Sequence, residues 1–79
     1  MLHAREDYNR IQDPAGLIPE NEPVFLLRGQ DVFAPQLLRN WADKVENEGN
    51  PFMADMVRDH AALMEEWQVK VVVKIPDLP

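Results

Sequence analysis

Apolar positions along this chain fall into four patterned stretches. Val24, Phe25, Leu26 and Leu27 form a continuous run that ends at Arg28, with Pro23 before it and Gly29 after it. A short unbroken run between turn residues predicts a strand over 24–28 covered on both faces, with Pro23 at its first position. The second stretch has a helical period: Ala34, Leu37, Leu38, Trp41, Ala42 and Val45 recur at spacings of three and four. Pro35 suits the first turn of that helix, and Gly49 supplies its left-handed stop.

Asn50 followed by Pro51 reads as a cap and first turn, launching a second helix over 51–67. Met53, Met56, Val57, His60, Met64 and Trp67 lie on one side of it, with Phe52, Ala61 and Leu63 widening the stripe. The short "EGNP" connection makes the two helices antiparallel neighbours. On this reading Trp41 and Trp67 lie on inward stripes and pack in the core. The fourth stretch, "VKVVVKI", alternates: Val69, Val71, Val73 and Ile75 face one way, and Lys70, Val72 and Lys74 the other. That period of two predicts a second strand over 69–75, ended by Pro76.

Before these stretches lies an arm with Pro14, Pro19, Pro23 and Gly16, which exclude a long regular element after Gln12. "DPAG" suits a turn, residues 3–11 suit one helical turn, and Leu17 and Ile18 are expected to pin the arm to the core. The whole chain, 1–79, reads as a single domain: an irregular N-terminal arm over 1–23 and a β-α-α-β core over 24–79. The expected fold class is α+β, a helical hairpin packed on a small antiparallel β-sheet. Two strands alone make a marginal sheet, so completion by a homodimer or higher homo-oligomer is expected, with the partner covering Val72.

Composition supports a folded chain in need of extra buried surface. The 79 residues are 46% hydrophobic, and so small a domain buries only about 60% of its unfolded surface. With no cysteine, neither disulfides nor thiolate metal sites can staple it. A net charge of −6 disfavours direct nucleic-acid binding, which relies on a basic face. The polar start and the lack of a run near the ~20 apolar residues of a membrane span predict no membrane partner and a cytoplasmic location.

Candidate chemistry centres on "RGQD", residues 28–31. Gly29 and Gln30 suit a turn, and Asp31 suits the start of the following helix, where a carboxylate accepts backbone N–H bonds. Arg28 is the residue left over. Its planar guanidinium near a helix N-terminus suits an anion, whereas a purely structural role pairs it with Asp31, Glu20 or Glu22. A ligand site of Arg28 and Gln30, with Tyr8, Arg10 or another aromatic residue stacking, suits a small anionic, nucleotide-like molecule. The acidic helix faces carrying Asp43, Glu46, Asp55 and Asp59 suit instead a basic protein partner.

Catalysis finds little support. The chain contains no cysteine, serine or threonine and no glycine-rich phosphate loop. His60 lies in an apolar stripe, and no zinc or calcium spacing surrounds it, so neither a metal nor a cofactor is expected. "RIQDPAGLIPENEPVFLLRGQD", with "APQLLRNWAD" and "HAALMEEWQ", resembles short uncharacterised proteins encoded by phages and prophages, over about three quarters of the chain. That group carries no established activity. The resemblance implies a small accessory protein that works by binding, either on a host protein or by sequestering a nucleotide-like signal. The leading expectation is therefore a non-enzymatic binding protein that acts on a host protein. Capture of a small anionic ligand is the alternative, and a structural subunit is a third reading.

Overall fold

In the computed structural model, residues 1–4 and 13–71 are described. Two helices dominate: α1 spans Ala34–Asn47 and α2 spans Pro51–Lys70. They pack against each other as an antiparallel hairpin. Two short strands, β1 (Leu2–His3) and β2 (Pro23–Val24), pair in parallel, with Leu2 opposite Pro23 and His3 opposite Val24. The fold is thus mixed α+β.

The helix boundaries follow the expected chemistry closely. Pro35 occupies the first turn of α1. Gly49 takes a φ of +96°, which a residue with a Cβ adopts only at a cost. The Asn50 side chain accepts the Met53 N–H at 3.1 Å, capping α2. The "DPAG" turn also forms: the Gly16 N–H reaches the Asp13 carbonyl at 3.0 Å, and the Asp13 carboxylate accepts from Leu17 and Ile18. Leu17 is not a pin, however, since it is 80% exposed, whereas Ile18 is half-buried.

The sheet departs from expectation. The strand expected over 24–28 stops at Val24, residues 25–28 are irregular, and Phe25 is largely exposed. Its expected antiparallel partner begins at Val69, but Val69 and Lys70 form the last turn of α2. Helix-forming residues from Ala61 to Gln68, launched by the Asn50 cap, carry the helix past two β-branched or charged positions that read as strand. Residues 72–75 lie outside the described part of the chain, and so does the expected cover over Val72. What the arm contributes is a parallel pair, fixed by the Leu2 N–H donating to the Glu22 carbonyl at 2.7 Å.

The core also differs. Ala34, Ala42, Ala54 and Ala61 are the fully buried apolar residues among those described. The seam between the helices runs along Ala34, Leu38, Ala42 and Val45 of α1 and along Ala54, Val57, Ala61, Met64 and Gln68 of α2. Alanines at the contact let two backbones approach closely. They also leave no room between them for an indole, so Trp41 and Trp67 stay 48% and 45% exposed rather than packing inside.

Candidate functional site

The "RGQD" segment is a tight turn. The Asp31 N–H reaches the Arg28 carbonyl at 2.9 Å, and the Asp31 carboxylate accepts the Phe33 N–H at 2.8 Å. Asp31 therefore orders the turn before α1 rather than capping the helix, whose cap residue is Phe33 with no side-chain bond. The turn is held down from the far end of the chain. Gln68 Nε2 donates to both the Gly29 and the Asp31 carbonyl, each at 2.9 Å. A Cβ on Gly29 would lie 3.7 Å from the Trp67 ring, so the indole sits against the turn.

This docking creates an open cleft of about 430 Å³ between residues 26–30 and the last turns of α2. Arg28 and Gln30 line one wall, and His60, Leu63 and Trp67 line the other. Two of the ligand residues expected from sequence thus come together with an aromatic ring. Tyr8 and Arg10, the other two, lie outside the described residues. Among the described residues Arg28 forms none of the ion pairs with Asp31, Glu20 or Glu22 that a structural role required.

The carboxylates expected to face a partner are arranged differently. Asp43, Glu46 and Asp55 converge on Arg58, with N–O distances of 2.9, 3.0 and 3.3 Å. Hydrogen bonding from Arg58 holds the Glu46 carboxyl below the usual carboxylate range, and the same bonds raise Arg58. A second pair, Arg39 with Glu65, also bridges the helices, lowering Glu65 through the Arg39 hydrogen bond. Three of the four acidic candidates are therefore engaged within the chain. Asp59 is exposed and outside this cluster.

The hairpin consequently has two unlike faces. Each residue of an α-helix turns about 100° from the one before it. Arg39, Asp43 and Glu46 follow the buried α1 positions by one residue, as Asp55, Arg58 and Glu65 follow those of α2. Leu37 and Trp41 precede the buried α1 positions by one, and Met53, Met56, His60, Leu63 and Trp67 precede those of α2. Because the helices run antiparallel, equal offsets fall on the same side of the pair. One side is stitched by ion pairs, and the other is exposed and mainly apolar, with Lys44 and His60 as its polar members.

Sequence reasoning missed Arg58, Gln68 and Ala54. A cation three residues after Asp55 was a legible signal for Arg58, but nothing local marks Gln68 as the clamp on a turn near the other helix. Among the described residues no group of His, Asp or Glu has a metal-holding arrangement, and no helix is long and apolar enough to cross a membrane. No protein-family model matches the chain, and neither do curated proteins nor solved structures.

Proposed function

We propose that this chain is a non-enzymatic binding protein that works by protein–protein contact along the apolar side of its helical hairpin. The observation that carries this reading is the sorting of side chains. Charges pair with each other on one side, while both tryptophans and a 76%-exposed Phe52 stand on or beside the other. Exposed apolar patches of more than a few hundred Å² mark interaction sites on small proteins. In the phage setting implied by the sequence resemblance, the chain acts on a host protein in the host cytoplasm.

The test compares proteins retained on gentle purification, a second copy included, by the natural chain and by Met56→Glu. Loss of every retained partner in Met56→Glu, with none lost in Asp43→Ala, supports the reading. Equal retention by all three chains refutes it.

The cleft favours a second reading, capture of a small anionic molecule that carries a planar ring. Arg28 supplies the charge, Gln30 an amide, and Trp67 a stacking face. Titration of Trp67 fluorescence with nucleotides in a Trp41→Phe background decides it. Saturable quenching that Arg28→Ala abolishes supports capture, and a flat response rejects it for nucleotides.

A further inference from the structure

Resting on the reading of the apolar side as a contact surface, we infer that its occupant is a second copy of this chain, docked antiparallel along α2. On this side of α2 the exposed positions Met53, Met56, His60, Leu63 and Trp67 are spaced three, four, three and four. That alternation is the a/d seam of a heptad, the pattern by which one helix packs against another. The buried seam facing α1 has the same alternation one residue later, about 100° around the helix. A helix with two adjacent seams is a member of a four-helix bundle, in which each helix touches two neighbours. Among the described residues one helix, α1, packs on α2, and the turn at residues 26–30 borders only its C-terminal half across the open cleft.

A second copy fits this side better than an unrelated surface does, for three reasons. The first is register. Antiparallel packing sets a positions against d positions, so Met56 meets the partner's Trp67 and His60 meets the partner's Leu63. This match needs only α2 itself, and it satisfies two-fold symmetry, in which one patch serves both subunits. The second is shape. The N-terminal half of α2 projects Phe52, Met53 and Met56, while the C-terminal half borders the open cleft. Antiparallel docking brings each copy's projecting half to the other's cleft. The third is charge. The chain carries −6, yet the Arg58 cluster and the Arg39–Glu65 pair lie on the opposite side. The carboxylates that flank the seam, Asp59 and Glu66, are exposed at its rim, where salt screens them.

The size is appropriate as well. The exposed parts of Trp41, Phe52, Met53, Met56, Leu63 and Trp67 come to on the order of 700 Å², against the about 800 Å² each partner contributes to a stable complex. Burying them gives a molecule whose described core is four alanines the large apolar side chains it otherwise lacks.

Mass measured in solution over a range of concentrations is the first test, with Met56→Glu and Asp43→Ala as the two variants. We expect a dimer for the natural chain and for Asp43→Ala, and a folded monomer, by circular dichroism, for Met56→Glu. A natural chain that stays monomeric overturns the second-copy inference. If that monomer still loses a different retained partner through Met56→Glu, the contact-surface reading survives alone. If Met56→Glu changes nothing, both fail. The chain has no cysteine, so orientation is read directly by mixing Met56→Cys with Trp67→Cys chains under oxidation. A mixed disulfide is expected. These positions are about 16 Å apart along one helix, so Met56→Cys pairing only with itself would mean parallel docking and would overturn the proposed register.

Discussion

The Gln68 carboxamide reaches across 39 residues of sequence to hold the Gly29 carbonyl at 2.9 Å. The same nitrogen holds the Asp31 carbonyl, so one side chain fixes both shoulders of the turn before α1. Part-buried carbonyls that lose their donor cost about 1–3 kcal/mol. Gln68→Met keeps the length of the side chain and removes the donor. Its thermal midpoint is expected to fall by about 4–8 °C for each kcal/mol lost, measured by circular dichroism.

The alanine seam makes a sharp pair of substitutions. Ala61 is fully buried between the helices, and Ala62 is exposed one residue later. Ala61→Leu forces methylenes into a filled contact and should cost about 1–3 kcal/mol. Ala62→Leu should stay within about 0.5 kcal/mol of the natural chain. Urea unfolding of both decides it, and equal midpoints would mean that the helices do not meet where described.

Acid should weaken the charged side of the hairpin. Arg58 and Arg39 hold Glu46 and Glu65 below the usual carboxylate range through hydrogen bonds. A depressed carboxyl contributes its full stabilisation above its unfolded pKa, about 4.3 for Glu, and loses it as pH falls through the folded value. Urea midpoints should therefore decline as pH drops below about 4.3. The decline should be shallower in a chain carrying both Arg39→Gln and Arg58→Gln. An identical pH profile in that double variant would show that these pairs add nothing. Both carboxylates are solvent-exposed, so added salt should reduce the difference.

The link between the helices depends on Asn50. Its side chain accepts the Met53 N–H, and replacing such a cap with alanine costs about 1 kcal/mol. Asn50→Ala should lower stability by that amount, and Asn50→Asp should retain most of it. If the two variants melt together, the hydrogen bond is not what matters at this position.

The hairpin was legible because its signals are local. Pro35, Gly49 and Asn50–Pro51 punctuate the chain where helices begin and end, and short-range chemistry decides those points. The direction each helix faces was less legible. Two seams one residue apart both satisfy the helical period in α2, and the larger side chains drew the expectation to Met53, Met56 and Trp67. Close backbone approach instead selected the smaller set around Ala54 and Ala61. The sheet was the least legible part. Val69 and Lys70 alternate like a strand, but the helix continuing from Gln68 claims them, and β1 at Leu2–His3 gives no two-residue signal that a sequence reading can detect. Arg28 and Gln30 were found from the odd chemistry of "RGQD", whereas the ring beside them comes from a helix whose docking no local pattern encodes.

The short link between α1 and α2 has a consequence for the order in which the molecule assembles. Contacts across the hairpin begin beside its short link and can zip outward from there. By contrast, the Gln68 clamp on the Gly29 turn joins residues 39 apart, and the β1–β2 pair has no comparably short link to start from. Local contacts form faster, so the helical hairpin is expected to assemble first and the N-terminal third to settle onto it afterwards. The reverse path has the same hierarchy. Release of the Gln68 clamp frees the turn without separating the helices, an opening well below the cost of global unfolding. Amide exchange should therefore be fast at Gly16 and Glu22, intermediate at Asp31, and slowest beside Ala42 and Ala61.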